Sequence, residues 1–560
     1  MPSRVFSHQC AASLLCLIFG AYSASVLGFW FGTFLNVPLL VVGISIGWLS
    51  SAFLPGQNRE SGAWKLRLPG MLGALAAWVV LHFLFRDFVD TSFDSISYHA
   101  EAGIRLATGW NPFRPDPFRE LHDAANWKLE YYPKFAWILE AAVLQLTGSF
   151  SGITQLGAAL MLSALLLTYS TLGTHFKMGA LQSAVLAATI CLNPVSCHEL
   201  LSFYVDGIMA TSFLCFAICS VRYAIRPSKA ELLLASICLI AALNSKATAL
   251  VYSGFLGVAF AVALGRLRGF STMIRWSSAL LCAWLVGVGV YGYSPYARDY
   301  FQARSVPALE WVRKKPELLA PERPPNQRTM SAPFRFAHSL FSRFEGRWTS
   351  ENGVASPVEA QLKLPMSWYS TESESMRHMD PRAGGFGPWF SAALLGAIAL
   401  LGLQLRGGDR ERRWVIACLG WALLGSALAN PESWWAKFIP LFGYLPSAIV
   451  LLDAPSGSGR GFSALRFGSA FLLIVNGAAL LILGSQGQWS ASRDFGQKIR
   501  NFEVSRKEVR ICDRDGNPTG LLQQLLQRSG IPVRAVSCAE VERAGNTVHL
   551  TSRCLASQER

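Results

Sequence analysis

The chain has 560 residues, of which 52% are hydrophobic and 15% charged, and its formal net charge is +15. That balance excludes an ordinary soluble enzyme; apolar runs recurring from end to end describe an α-helical polytopic membrane protein. Short cytoplasmic loops collect Lys and Arg, so the excess charge follows from topology and indicates no nucleic-acid partner.

About thirteen apolar runs read as crossings of a bilayer core roughly 30 Å thick, several of them reaching the roughly 20 residues a crossing needs. They are Ala11–Trp30, Phe34–Phe53, Gly70–Phe85, Gly152–Leu172, Gly179–Leu192, Tyr204–Val221, Glu231–Leu243, Ala247–Leu264, Trp276–Tyr293, Trp389–Leu405, Trp414–Leu428, Trp435–Leu452 and Phe467–Leu483. Placing Arg4 in the cytoplasm gathers Arg59, Lys65, Arg67, Lys177, Arg222, Arg226, Lys229, Arg266, Arg268, Arg275, Arg406, Arg410, Arg412, Arg413, Arg460 and Arg466 on the same side. This consistency requires Phe135–Leu146 not to cross, and its length suits an interfacial helix on the far face. The expectation is a multi-pass protein of a bacterial plasma (inner) membrane with a cytoplasmic N-terminus. The opening "MPSRVFSHQCAASLLCLIFGAYSAS" also has the basic start, apolar core and small residues of a cleaved signal peptide, whose removal would leave the remaining orientation unchanged.

A transmembrane module over residues 1–484 then carries two large outer loops, 87–151 and 294–388, followed by an extracytoplasmic segment, 485–560. In that tail "EVRICD", "TGLLQQLLQRSG", "PVRAVS", "AEVERAG" and "NTVHLTSR" read as strand, helix, strand, short helix and strand, a small C-terminal α/β domain. Its cysteines, Cys512, Cys538 and Cys554, lie where a disulfide could persist, but an odd number fixes no pairing. "DRDGN", Asp513 to Asn517, lacks the later Glu of a calcium loop and reads as a turn. The sequence carries no internal repeat, Walker loop, dinucleotide fingerprint or zinc spacing. No cofactor is certain; a divalent metal is possible in principle but not indicated, since His99, His198 and Glu199 lack a ligand spacing.

Chemistry is therefore expected from polar residues at the membrane edge. "FDSISYH" places Asp94, Tyr98 and His99 just past the third span, and on a helix Asp94, Tyr98, Glu101 and Arg105 share one broad face. The plainer alternative is a solvated amphipathic helix lying on the membrane. Lys134 in "YYPKFAW", Lys246 in "LNSKAT" and Lys437 in "NPESWWAKFIP" put cations on the outer side, against the positive-inside trend, and each alone could snorkel to water. Asp206 in "FYVDGIMA" begins a span at the same level, where ionisable residues are functional candidates. A carboxylate with several cations at this surface suits a base acting on an acceptor while a lipid phosphate departs. In the second outer loop "YGYSPYARDYF" offers Tyr296 and Arg298 for sugar or phosphate recognition, or as an interfacial belt.

These residues resemble the GT-C glycosyltransferases that use polyprenyl-phosphate sugars, in the branch of the protein O-mannosyltransferases and the lipid A aminoarabinose transferase. Asp94 with Tyr98 looks like the branch's acidic residue with an aromatic four positions later, Lys134 like its first-loop lysine, and Asp206 and Lys246 like its later Asp and turn Lys. Lys437, Phe438 and Pro440 look like its basic-aromatic-Pro sequence. The chain departs from the pattern at Ser95, at the missing Pro after Lys134, and at Lys437 where Arg is common.

The resemblance implies a GT-C-like fold and an inverting glycosyltransferase with Asp94 as general base. It also implies that Lys134, Lys246 and Lys437 hold the donor phosphate while Tyr98, His99, Glu101, Asp206, Tyr296 and Arg298 bind substrate. The implied partners are a polyprenyl-phosphate-linked sugar donor, a glycan, lipid or protein acceptor, and membrane lipids. A transporter or flippase of lipid-linked sugars would instead place its ionisable groups near the bilayer midplane, and a non-catalytic membrane scaffold would need no Asp94.

Overall fold

The computed structural model describes residues 2–54, 63–114, 126–303, 319–345, 348–351, 354–407, 410–452, 460–505, 509–511 and 533–535. From the N-terminus the helices are α1 (Pro2–Trp30), α2 (Val37–Ser50), α3 (Ala63–Phe85), α4 (Ala100–Ala107), α5 (Asn126–Tyr131), α6 (Phe135–Thr147), α7 (Gly152–Thr174), α8 (Ala180–Cys191), α9 (Pro194–His198), α10 (Asp206–Ile225), α11 (Lys229–Leu243), α12 (Ala249–Arg268) and α13 (Phe270–Val286). Later come Ala332–Leu340, Phe390–Gly407, Arg410–Gly420, Leu445–Leu451 and a long helix, Arg460–Ser505. Local chemistry sets many of these boundaries. Asn36 caps α2 by accepting from Leu39 N, and Ser228 caps α11 by accepting from Glu231 N. Gly148, at φ +79°, closes α6 in the left-handed conformation that favours glycine.

Among the described residues seven helical stretches are long and apolar enough to cross a bilayer: Ser3–Trp30, Arg67–Phe85, Gly152–Thr174, Asp206–Ile225, Ala249–Arg268, Phe270–Tyr291 and Arg460–Lys498. The chain is an integral membrane protein. The expected thirteen crossings are not reached, because several apolar runs form shorter or broken helices. The 12 residues of α8 span about 18 Å at about 1.5 Å per residue. The run Trp435–Leu452 is broken into two tight turns, Ala436–Phe438 and Pro440–Tyr444, and the short helix Leu445–Leu451; proline cannot donate within a helix interior.

The centre of the bundle is α1 with α2, α3 and α7 around it, and α7 packs in turn on α10. Glycines bring α1 and α2 almost into backbone contact, since a Cβ at Gly47 would sit 2.2 Å from Cys16 O. The expected interfacial helix at Phe135–Leu146 is instead internal: every residue of α6 from Phe135 to Leu144 is buried. The same holds for α4, buried from Ala100 to Leu106, which rules out a solvated helix lying on the membrane.

The path of α10, α11 and α12 separates two ends of the bundle. Asp206 and Lys246 sit at one end. At the other, Arg222 Nε donates to Glu231 Oε1 at 2.7 Å, and Arg268 donates to the carbonyls of Ala224 and Ile225 at 2.6 and 2.9 Å.

The long helix continues far beyond the expected last span, so the boundary drawn at residue 484 falls inside it. Its extension carries the loop after α3: the Phe88 and Trp489 rings meet at 5.2 Å, and Val89 N donates to Ser492 Oγ at 2.9 Å. In the segment expected as the second outer loop, strands Trp348–Glu351 and Val354–Pro357 pair antiparallel. In the tail, Val509–Ile511 and Val533–Ala535 pair in parallel. The rest of the expected α/β domain, with Cys512, Cys538 and Cys554, lies outside the described residues.

Candidate functional site

Where the segment between α3 and α6 meets the ends of α10, α11 and α12, the structure holds a cavity of about 290 Å³. Seven stretches of chain between Phe93 and Phe438 line it. Asp94 stands at the head of one wide helical turn, Ser95–His99, that leads into α4; such π-type turns recur at functional sites. Its carboxylate is 21% exposed and lies 4.0 Å from Lys437 Nζ. Tyr98, on the same turn, is buried, and Lys128 Nζ from α5 sits 4.5 Å from its ring centroid. Burial lowers the pKa of the Lys128 amine, with Asp94 opposing the shift and Lys437 adding to it.

His99 completes this wall and has a defined tautomer. Trp137 Nε1 donates to His99 Nδ1 at 2.6 Å, so the neutral ring carries its proton on Nε2. Burial, reinforced by Lys246, Lys128 and Lys437, holds the imidazole pKa well below its usual value and keeps the ring neutral. With one nitrogen engaged and the other protonated, His99 is a donor and not a base.

Opposite Asp94 lies a cationic corner. Lys437 Nζ is 2.9 Å from Asp380 Oδ1, and Arg382 is 3.2 Å from Asp380 Oδ2 and 3.0 Å from Glu322. Burial works against the Asp380 charge, but Lys437 and Arg382 outweigh it and hold that carboxyl below its usual range. Both cations rest on the Trp435 ring, at 3.9 Å for Arg382 and 4.1 Å for Lys437. The turn carrying Lys437 is fixed from outside the cavity: Tyr252 Oη and Asn430 Nδ2 both donate to the carbonyl of Phe438. Trp435 is 3% exposed, and its indole N–H has no hydrogen-bond partner among the described residues.

At the floor, Asp206 opens α10 and pairs with Lys246 from the α11–α12 turn, Nζ to Oδ1, at 2.5 Å. Both side chains are nearly enclosed. Behind them Glu199 accepts from Gly207 N at 2.8 Å, and burial together with the nearby Asp206 charge pushes its carboxyl well up. The cavity's cations Lys128, Lys246, Arg382 and Lys437 are matched by Asp94, Asp206, Glu322 and Asp380, so its formal charges cancel.

Of the residues expected from sequence, the fold brings Asp94, Tyr98, His99, Asp206, Lys246 and Lys437 together around this space. The other four are not among its lining residues. Lys134, 2% exposed, donates to the carbonyls of Glu130 and Tyr132 and closes the turn into α6. Glu101 pairs with Arg105 at 2.7 Å, one helical turn along α4. Tyr296 donates to the carbonyl of Leu243 at 2.8 Å, and Arg298 to that of Pro112 at 3.0 Å.

Sequence reading missed Lys128, Glu322, Asp380, Arg382 and Trp435. Lys128 stands six residues before Lys134 in the same aromatic stretch, and Asp380 and Arg382 sit in "MDPRAGGFGPWF", the closing stretch of the second loop. Lys128, between Trp127 and Tyr131, carries the signal of a charge among aromatics; Asp380 and Arg382, beside Met379, Pro381 and Ala383, carry no such signal. Among the described residues no group of three or more His, Cys, Asp or Glu side chains is placed to hold a metal ion.

Comparison with protein-family models gives no match. Comparison with curated proteins gives none either. Among solved structures, ArnT from Cupriavidus metallidurans, bound to undecaprenyl phosphate, is similar at a TM-score of 0.42 and 13% identity, covering 86% of this chain and 87% of that one. At that level the chemistry of the cavity rests on its own residues.

Proposed function

We propose that the cavity is the transfer site of an inverting membrane glycosyltransferase that takes a sugar from a polyprenyl-phosphate donor on the extracytoplasmic face. The observation that carries this reading is the gathering of Asp94, Lys437 and Arg382 around one small cavity, with the two cations on the Trp435 ring and Asp94 4.0 Å from Lys437. A volume of about 290 Å³ is at the lower end for small-molecule sites and suits a sugar phosphate, with the isoprenoid chain left outside.

In this mechanism Asp94 takes the proton of an acceptor hydroxyl or amine. The freed lone pair attacks the anomeric carbon, and the bond from that carbon to the phosphate oxygen breaks from the opposite side, its electrons leaving with the phosphate. Lys437 and Arg382 offset the charge of the departing phosphate, with Lys128 adding to the local field. Trp435 Nε1–H supplies a further donor to a donor-substrate oxygen, and His99 Nε2–H supplies another to sugar or acceptor. The Asp206–Lys246 pair holds the floor. Lys134, Glu101, Tyr296 and Arg298 support the walls by the backbone and ion-pair contacts described above. Protein, lipid and glycan acceptors all offer the required nucleophile.

The orientation rests on α10, α11 and α12. Their cavity ends carry Asp206 and, in the turn between α11 and α12, Lys246, while their opposite ends carry Arg222, Lys229, Arg266 and Arg268, which suit the cytoplasmic side. Grouping the ionisable side chains at one end of these helices also weighs against a transporter, whose site belongs near the midplane.

The test is Asp94→Asn. Transfer should fall by roughly 10²- to 10⁴-fold, the range for a general base, while undecaprenyl phosphate still binds by native mass spectrometry. Unaltered transfer removes the base assignment.

A further inference from the structure

Asp90 lies four residues before Asp94 and is 1% exposed. Its Oδ1 accepts from Ser92 N at 2.9 Å, and its Oδ2 accepts from Ser92 Oγ at 2.7 Å and from Phe203 N at 2.6 Å. Its carbonyl oxygen accepts from the buried Ser95 Oγ at 3.1 Å. One residue therefore ties together two stretches distant in sequence. The first begins the turn that carries Asp94, Tyr98 and His99. The second is the approach to α10, which carries Tyr204 and Asp206 into the opposite wall.

The neighbouring anchors do not do this. Phe88 and Val89 hold the entry of the loop to the long helix and make no bond to the approach of α10. Burial pushes the Asp90 carboxyl up to about 6 in spite of its hydrogen bonds, so the fold keeps a costly group where an apolar one would pack more cheaply. Among the described residues Glu140 and Tyr204 feel its charge, and none that pairs with it is basic.

We infer that Asp90 is a positioning residue, a buried clamp that sets the spacing between the Asp94 and Asp206 walls of the cavity. It touches neither donor nor acceptor and acts only through the two segments it joins. The inference rests on the transfer reading for its purpose but not for its geometry.

The experiment compares the full-length wild type with Asp90→Ala and Asp90→Asn in lipid nanodiscs, by hydrogen–deuterium exchange and by native mass spectrometry with undecaprenyl phosphate as the probe. In Asp90→Ala, exchange should rise about tenfold or more over residues 92–99 and 203–207, with the rest of α10 and all of α11 and α12 as protected as in the wild type. Undecaprenyl phosphate affinity should fall about tenfold. Asp90→Asn keeps one acceptor oxygen and should show smaller changes in the same two segments; if the Ala variant does not fold, Asn decides. Unchanged exchange over 203–207 in a folded variant overturns the clamp. So does a uniform rise across the bundle, which marks a general structural role, or full affinity despite loosened segments. If the wild type itself fails to bind undecaprenyl phosphate, the transfer reading falls and the exchange data still decide the clamp.

Discussion

Lys134, Lys246 and Lys437 look alike in sequence, yet the structure assigns them three different consequences on removal. Lys437→Ala deletes a cation of the cavity corner, but its main partner is not orphaned, because Arg382 remains 3.2 Å from Asp380. A hydrogen bond to a charged group contributes about 1.5–3 kcal/mol, so affinity for undecaprenyl phosphate should fall roughly 10- to 100-fold with little change in stability. Lys246→Ala leaves Asp206 almost fully buried without its partner; breaking such a pair costs about 3–5 kcal/mol, so this variant should first lose thermal stability. Lys134→Ala removes a donor to two backbone carbonyls away from the cavity, and should cost about 1–3 kcal/mol of stability while the folded fraction binds lipid normally. The assay is native mass spectrometry of detergent-purified variants titrated with undecaprenyl phosphate, beside a thermal melt of each. Loss of binding in Lys134→Ala with undiminished binding in Lys437→Ala would refute the assignment of the corner.

Two further predictions use the cavity's neutral donors. Trp435→Phe keeps an aromatic face beside both cations but removes part of the indole with its unpartnered N–H, so melting should fall slightly while undecaprenyl phosphate affinity drops about tenfold; equal affinity would deny the indole a ligand role. Unfolded His99 gains a proton below its ordinary value of 6.5, whereas the folded ring stays neutral. Stability should therefore decline as pH falls below 6.5, by up to about 1.4 kcal/mol per unit until the depressed folded value is reached. His99→Gln, whose amide oxygen can still accept from Trp137, should lack this component. A wild-type minus variant difference that stays constant from about pH 7.5 to about pH 5 would contradict it.

Which parts were legible in the sequence follows from the range over which each signal acts. Runs of apolar residues specify helices locally, so α7, α10 and α12 fall close to the spans read for them. Residues that interrupt such runs, Asp206 and Lys246, stood out for the same reason and do meet. Crossing length was less legible because it depends on neighbours: α6 reads as an interfacial helix until the surrounding bundle is seen to bury it. Lys134 illustrates the other limit. Its likeness to a sequence pattern said nothing about which way its amine turned, and local backbone carbonyls captured it. Lys128 and Arg382 were hidden because their role depends on contacts with Tyr98 and Trp435, which are distant in sequence.

The cavity's scattered lining bears on how the protein is made. Because its walls come from stretches between Phe93 and Phe438, most of the chain must leave the ribosome and enter the membrane before Lys437 reaches Asp380. Until then the half-inserted chain has Asp94 without Lys437 beside it. On the proposed transfer reading, such a chain would have a base but no place for a departing phosphate, and so would not consume lipid-linked sugar while it is still being assembled. Late completion would then keep the site silent during biogenesis without any separate inhibitor.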